Sequence, residues 1–377
     1  MKLTCTRDNL HQGLSIVSHL TGKNVNLPIL QNVLVKAEGG SIRFTTTNLE
    51  MAVSCLIRGK VDEPGETTIP SKLFFDYVSL LPNDAVTLDG TLENVRIICG
   101  SHKTKMNTLS SAEFPLVPRV QGNRTYAIPA EDFRTALAQV TFAVASNESR
   151  PELTGVLMRF SKGAGEGRLT MAATDSYRLA ERTIPVVTPI ETEDTVILPA
   201  KTLSEVSRIL SVFRDDMMCP PSIEMTISES QAVFSYGPVE LTSRIIEGNY
   251  PDYTQIIPKQ FETQAVIDRE DLIKAVKTAS LFSKNGLFDV ILELDPSLKQ
   301  ASLNAVDAAR GENTTVCGAD VTGKKNVVTL NYRYLLDGLN SMTEEKVRFQ
   351  MIDVTNPCVV VPEGNAAHLY LVMPIRQ

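Results

Sequence analysis

The strongest constraint on this chain is an internal repeat. Three segments read as a strand end running into a helix: TTIPSKLFFDYVSLLP at 67–82, VILPAKTLSEVSRIL at 196–210 and VTLNYRYLLDGLNSM at 328–342. Aligned on Pro70, Pro199 and Asn331, they place a cation two residues on (Lys72, Lys201, Arg333) and an acid six residues on (Asp76, Glu205, Asp337). A second set carries Leu10/Leu14/Val17, Phe133/Leu137/Val140 and Leu272/Val276/Ala279, each the i, i+4, i+7 stripe of a helix lying on a core. Polar or acidic residues open these helices, Thr6 and Asp8, Glu131 and Asp132, Asp268 and Asp271, where orphan amides and the helix dipole favour them. A third, strand-like set aligns Asn48, Asp175 and Asp307. The common spacing implies three copies of one unit of about 126 residues.

Each copy reads strand, helix, several β runs, helix and more β, such as VRIICG, AVFSYG and CVVVPE, so the fold class is α+β with two helices on β-sheet per copy. A parallel βαβ sheet fits poorly. Proline-bearing stretches at 115–126 and 251–264 lack helical periodicity and read as extended connectors. They set the expected domains at 1–122, 123–253 and 254–377.

Composition narrows the function. Of 377 residues 43% are hydrophobic, enough for several cores, and 37 Lys+Arg against 44 Asp+Glu leave a net charge of −7, so any DNA contact must be local. There is no apolar run long enough to span a membrane, and the start MKLTCTRDNLHQGL turns polar at once, so a cytoplasmic protein with no membrane partner is expected. The six cysteines are far apart and the four histidines form no i, i+4 pair, so neither a metal site nor a cofactor is expected, and the thiols read as small buried hydrophobes. SKGAGEGR at 161–168 lacks the spacing and the following helix of a phosphate loop and reads as a hairpin turn. No catalytic motif is present. Asp175 in ATDSYRL stands in a tight polar cluster, but Asn48 and Asp307 take the equivalent place, which points to an Asx turn rather than a catalytic acid.

Several runs together carry a family resemblance: ATDSYRLA at 173–180, EGNYPDYTQIIPK at 247–259, LPIL at 27–30, FTTTNLE at 44–50 and LYLVMPIR at 369–376. In this order, and with this period, the whole chain resembles the bacterial DNA polymerase III β subunits, the sliding clamps. The resemblance implies a head-to-tail homodimer forming a ring of pseudo-sixfold symmetry, with helices around the hole and β-sheet outside. It implies a processivity factor that encircles double-stranded DNA without sequence preference and tethers the replicative DNA polymerase catalytic subunit, the clamp loader and other replication and repair proteins through short hydrophobic linear motifs. A ring-forming scaffold that no longer acts on DNA is the competing reading, and an enzyme of an unrecognised class a more distant one.

The same resemblance implies sites. For DNA they are Lys23 and Asn24 in one loop, Asn147 and Arg150 in another. Lys72, Lys201 and Arg333 join them on residue grounds: cations in a first helical turn oppose the dipole, so they either pair with the acid four residues on or serve a phosphate. The predicted helices sum to +2 against −9 for the rest of the chain, which makes them the less negative layer. A partner-peptide pocket is implied from Leu153, from Thr174, Ser176, Tyr177, Arg178 and Leu179, from Pro251, Gln255 and Ile256, and from Pro357 with Leu371, Met373, Pro374, Ile375 and Arg376. Met373 and Ile375 are its adaptable walls, and Arg178 and Arg376 are available at its rim. The dimer interface is implied between Leu281 and Phe282 on one chain and the strand around Thr104 and Met106 on the other.

Overall fold

The computed structural model describes residues 1–21, 27–91, 93–117, 122, 124–147, 149–163, 166–213, 219–284 and 286–375. Each copy of the repeat holds two helices: α1 (Arg7–Val17) and α2 (Ser71–Ser79), α3 (Ala130–Val140) and α4 (Ala200–Val212), α5 (Arg269–Ser280) and α6 (Tyr332–Ser341). The expected stripes are the buried ones, with Leu10, Leu14, Val17, Phe133, Leu137, Val140, Leu272, Val276 and Ala279 fully enclosed. Thr6 Oγ1 accepts from Asn9 N (3.3 Å) and Asp268 Oδ1 from Asp271 N (3.0 Å), satisfying first-turn amides. α1 and α3 end with the last residues of their stripes, Val17 and Val140, and the chain then tightens into 3-10 turns at Ser18–Leu20 and Thr141–Ala143.

The chain forms two compact units, residues 1–131 with 205–245 and residues 132–204 with 246–377. The strand ladders within them are antiparallel. The first unit holds a five-stranded sheet ending on the edge strand His102–Asn107, and an eight-stranded sheet in which Val239–Arg244 lies beside Met51–Ile57 in the register Val239↔Cys55 to Ser243↔Met51. The second unit is built on one twelve-stranded sheet, in which Arg178–Val186 lies beside His368–Val372 from Arg178↔Val372 to Arg182↔His368. Strands from successive copies of the repeat thus pair within each unit.

The three aligned Asx residues are turn-makers. Asn48 Oδ1 accepts from Glu50 N and Met51 N, Asp175 Oδ1 from Tyr177 N and Arg178 N, and Asp307 Oδ1 from Ala309 N and Arg310 N, all within 2.8 to 3.0 Å. The glycine-bearing segment is a hairpin as expected, joining Gly155–Lys162 to Gly167–Thr174. The second connector is not wholly extended: Asp252 caps a 3-10 turn at Tyr253–Ile256 by accepting from Thr254 N. Five cysteines are buried and Cys219 is half-buried; desolvation pushes the thiols of Cys5, Cys55 and Cys358 up to about 12, which makes them inert packing groups.

His368 is fully buried on its strand, and among the described residues neither ring nitrogen has a hydrogen-bond partner. Burial, with Arg182 nearby, lowers its pKa to about 4. An unfolded imidazole titrates near ~6.5. Between those values the unfolded chain takes up a proton that the folded chain refuses, so stability is whole above the window and falls as pH drops through it, by up to about 3 kcal/mol. Urea midpoints should therefore decline from pH 7 to pH ~4 more steeply in the wild type than in His368→Phe, which has nothing to titrate there. Parallel declines would contradict this assignment.

Candidate partner-docking site

The second unit gathers most of the expected pocket. Leu179 faces Leu371 across one ladder and Leu371 faces Val359 across the next, so three apolar side chains stand abreast on the sheet. With Leu157, Ala172, Ile197 and Tyr253 they form a buried cluster, against which Tyr250, Ile257 and Met373 pack half-buried. Leu153 is also buried, whereas Tyr177 and Ile256 are 63% and 45% exposed, which leaves an apolar margin open. Pro251, Pro357, Pro374 and Ile375 are half-buried. The result is an apolar floor with open, adaptable edges, suited to two or three apolar side chains of an extended peptide. Arg376 lies outside the described residues.

The turn at 174–179 is tightly determined. Thr174 Oγ1 donates to Arg178 O (2.6 Å) and accepts from Ser176 N (3.1 Å), while Ser176 sits at φ +77°, a conformation that only a surrounding network holds. Met373 N donates to Tyr177 O (2.9 Å) and Ile375 N to Thr329 O (2.8 Å), fixing the C-terminal segment. Gln255 Nε2 donates to Asp252 Oδ2 (2.8 Å), so its amide is already engaged. Pro357 follows another Asx turn, where Asp353 accepts from Thr355 and Asn356; these bonds lower its carboxyl to about 2.

Arg178 departs from the expectation of a free cation at the rim. Its side chain is only 11% exposed; Nε donates to Asp175 (3.0 Å), Nη1 to Asp337 and Nη2 to Phe142 O (2.9 Å), with the guanidinium 4.6 Å from the Tyr334 ring centroid. All three nitrogens of this planar fork are engaged in positioning the turn.

The expected DNA residues are exposed where described. Lys72, Lys201 and Arg333 each stand second in their helices α2, α4 and α6. The competing i, i+4 pairing is not adopted: Glu205 is buried and bound to His19 Nδ1 (2.9 Å) and to Arg208, and Asp337 serves Arg178. Arg333 instead lies 3.6 Å over the Phe288 ring. Asn147 Oδ1 accepts from Ser149 N, and Arg150 Nε donates to Glu152 (3.0 Å), so a phosphate at Arg150 must compete with a carboxylate. Lys23 and Asn24 lie outside the described residues. Of the expected interface residues, Leu281 is 66% exposed, Phe282 and Thr104 are half-buried, and Met106 is buried. Strand alternation turns the Met106 side chain toward the core of its own sheet.

Family models match the chain in sequence order: the DNA polymerase III beta subunit N-terminal domain over residues 1–118, the central domain over 127–252 and the C-terminal domain over 254–376. The chain belongs to the DNA polymerase III beta subunit family. A beta sliding clamp of Synechococcus elongatus is 32% identical over the whole of this chain and 99% of its own length. Among solved structures, the beta subunit of Pseudomonas aeruginosa superposes with a TM-score of 0.93 at 26% identity, covering all of both chains, and the clamp of Bacillus subtilis with 0.92 at 25%, covering 100% of this chain and 99% of that one. Within this beta subunit fold, the residues that sequence reasoning missed are Tyr250 and Tyr253. Tyr253 is buried with its hydroxyl donating to Glu181, and Tyr250 OH accepts from Thr174 N (3.1 Å), tying the connector to the pocket turn. Both lie in the motif EGNYPDYTQIIPK, whose lack of periodicity conceals which face is buried.

Proposed function

We propose that two copies of this chain close head to tail into a ring around duplex DNA and hold replication proteins there by short apolar peptide segments. Family membership makes it a sliding clamp, an accessory subunit without catalysis of its own. The three domains are taken as 1–122, 123–253 and 254–377, and the protein as cytoplasmic; among the described residues no helix is long and apolar enough to cross a membrane.

One observation supports the ring above the rest. Val239–Arg244 pairs with Met51–Ile57, and His368–Val372 with Arg178–Val186, each joining one copy of the repeat to the next. The third instance of the first partner is the edge strand His102–Asn107, and that of the second is the 311–318 part of Gly311–Gly323, which among the described residues pairs only with Gln300–Asp307. Matching the ladders Phe44↔Cys55 and Leu303↔Thr315 sets the register of a third joint, with His102 opposite Thr315 and Lys105 opposite Glu312 of a second copy. That register puts the core-facing Thr104 and Met106 on the same face as Asn313 and Gly311, and a cation opposite an acid on the other. Leu281, exposed at the end of α5, is proposed to cover this joint with Phe282. Around such a ring Lys72, Lys201, Arg333, Asn147, Arg150, Lys23 and Asn24 are proposed to meet phosphates weakly enough for sliding.

Partner docking is assigned to the pocket over Leu179 and Leu371. Fluorescence anisotropy with a labelled QLDLF-type pentapeptide tests it: saturable binding is expected, weakened about tenfold or more in Met373→Ala, whose half-buried side chain costs little to truncate in the free protein. Equal affinity in both proteins would place docking elsewhere.

A further inference from the structure

The frame of the proposed peptide pocket occurs twice in this chain. Around Asn48 in the first unit, Thr47 Oγ1 donates to Met51 O (2.9 Å) and accepts from Leu49 N (3.1 Å), as Thr174 does with Arg178 O and Ser176 N in the second. Leu49 sits at φ +76° and Ser176 at +77°. Arg244 N donates to Glu50 O (3.1 Å) as Met373 N does to Tyr177 O (2.9 Å). Ala52 faces Thr242 as Leu179 faces Leu371. The flanks agree too: Leu30, following Pro28, is buried like Leu153 after Pro151, and Phe114–Pro115 stands for Tyr250–Pro251. A cavity of about 290 Å³ opens there, lined by Leu49, Glu50, Ala52, Pro115, Thr242 and Arg244 among others.

What differs is the lining. The apolar pair Leu179 and Leu371 is replaced by Ala52 and Thr242, the compliant Met373 by Arg244, and the aromatic Tyr177 by Glu50. A threonine hydroxyl on the floor and a charged pair at the mouth must be desolvated by an apolar peptide that offers them no partner. We infer that this chain carries two copies of one peptide-docking frame, and that Ala52, Thr242 and Arg244 are the specificity-determining residues that keep apolar linear motifs out of the first, so that each chain takes a single peptide. The inference rests on the docking reading given above for the second copy.

Calorimetric titration with the same pentapeptide tests it through stoichiometry. One site per chain is expected for the wild type and two for Ala52→Leu/Thr242→Leu/Arg244→Met. Should Ala52→Leu prevent folding, Thr242→Leu/Arg244→Met leaves the tightest position alone and is expected to show the second site at about tenfold lower affinity or less. In a Met373→Ala background, the transplanted site should be the tight one that remains. A folded transplant still binding one peptide, beside a wild type that binds one, overturns this inference and leaves the docking assignment standing. A wild type binding none overturns both.

Discussion

Arg178→Ala should destabilise the second unit by about 3 kcal/mol, the cost of stripping a buried ionic cluster of its cation. The guanidinium bonds Asp175, Asp337 and the Phe142 carbonyl, and lies over the Tyr334 and Phe142 rings. Removing it leaves the largely buried Asp175 without its counter-ion and empties a slot beside two aromatic faces. Because Asp175 also caps the turn at 176–178, the loss should loosen the pocket edge and weaken peptide binding as well as lower the urea midpoint. Arg178→Lys should recover little, since an ammonium cannot reach three acceptors in one plane. Wild-type stability in Arg178→Ala would mean that the cluster is ornamental.

The proposed third joint makes an equally sharp demand. Cysteines placed at Lys105 and Glu312 should form intermolecular disulfides in high yield under mild oxidation, giving a covalent dimer on a non-reducing gel. Directly opposed residues of an antiparallel pair have Cα atoms about 4.5 to 5.5 Å apart, inside the range that a disulfide spans. Neither single variant should cross-link to a comparable extent, because five of the six native thiols are buried. A register one residue off, Lys105 with Asn313, would send the two side chains to opposite faces and abolish the bond. Absence of cross-linking by a folded dimer would discard this joint.

That register also marks where the sequence alone misleads. Aligning Asn48, Asp175 and Asp307 suggests equal offsets throughout, yet Ala173 pairs with Ala180 whereas Ala305 pairs with Asn313, one residue further round the turn. A single inserted residue in a turn leaves hydrophobic alternation intact on both sides, so only the ladder reveals it. The helices were legible because each presents one buried stripe at a fixed period, and their ends less so because 3-10 turns continue the apolar pattern. Arg178 looked available because its partners Asp337 and Phe142 are 159 and 36 residues away. Tyr253 was hidden for the opposite reason: it lies in a connector whose polar neighbours Asp252 and Thr254 bond to each other and free the ring to turn inward. The pocket residues themselves came from resemblance, and no spacing in the chain would have singled out Leu179 and Leu371, on strands far apart in sequence, as neighbours.

The most direct measurement of the central claim is topological. The protein is placed on nicked circular DNA by a bacterial clamp loader, washed in high salt, and followed by gel filtration before and after the DNA is cut once. A ring held by encirclement should stay with the circle through the wash, since salt screens phosphate contacts but cannot open a link, and should slide off once ends exist. Release from intact circles in high salt, or retention on linear DNA as long as on circles, would show that the protein binds DNA by contact alone and would contradict the ring.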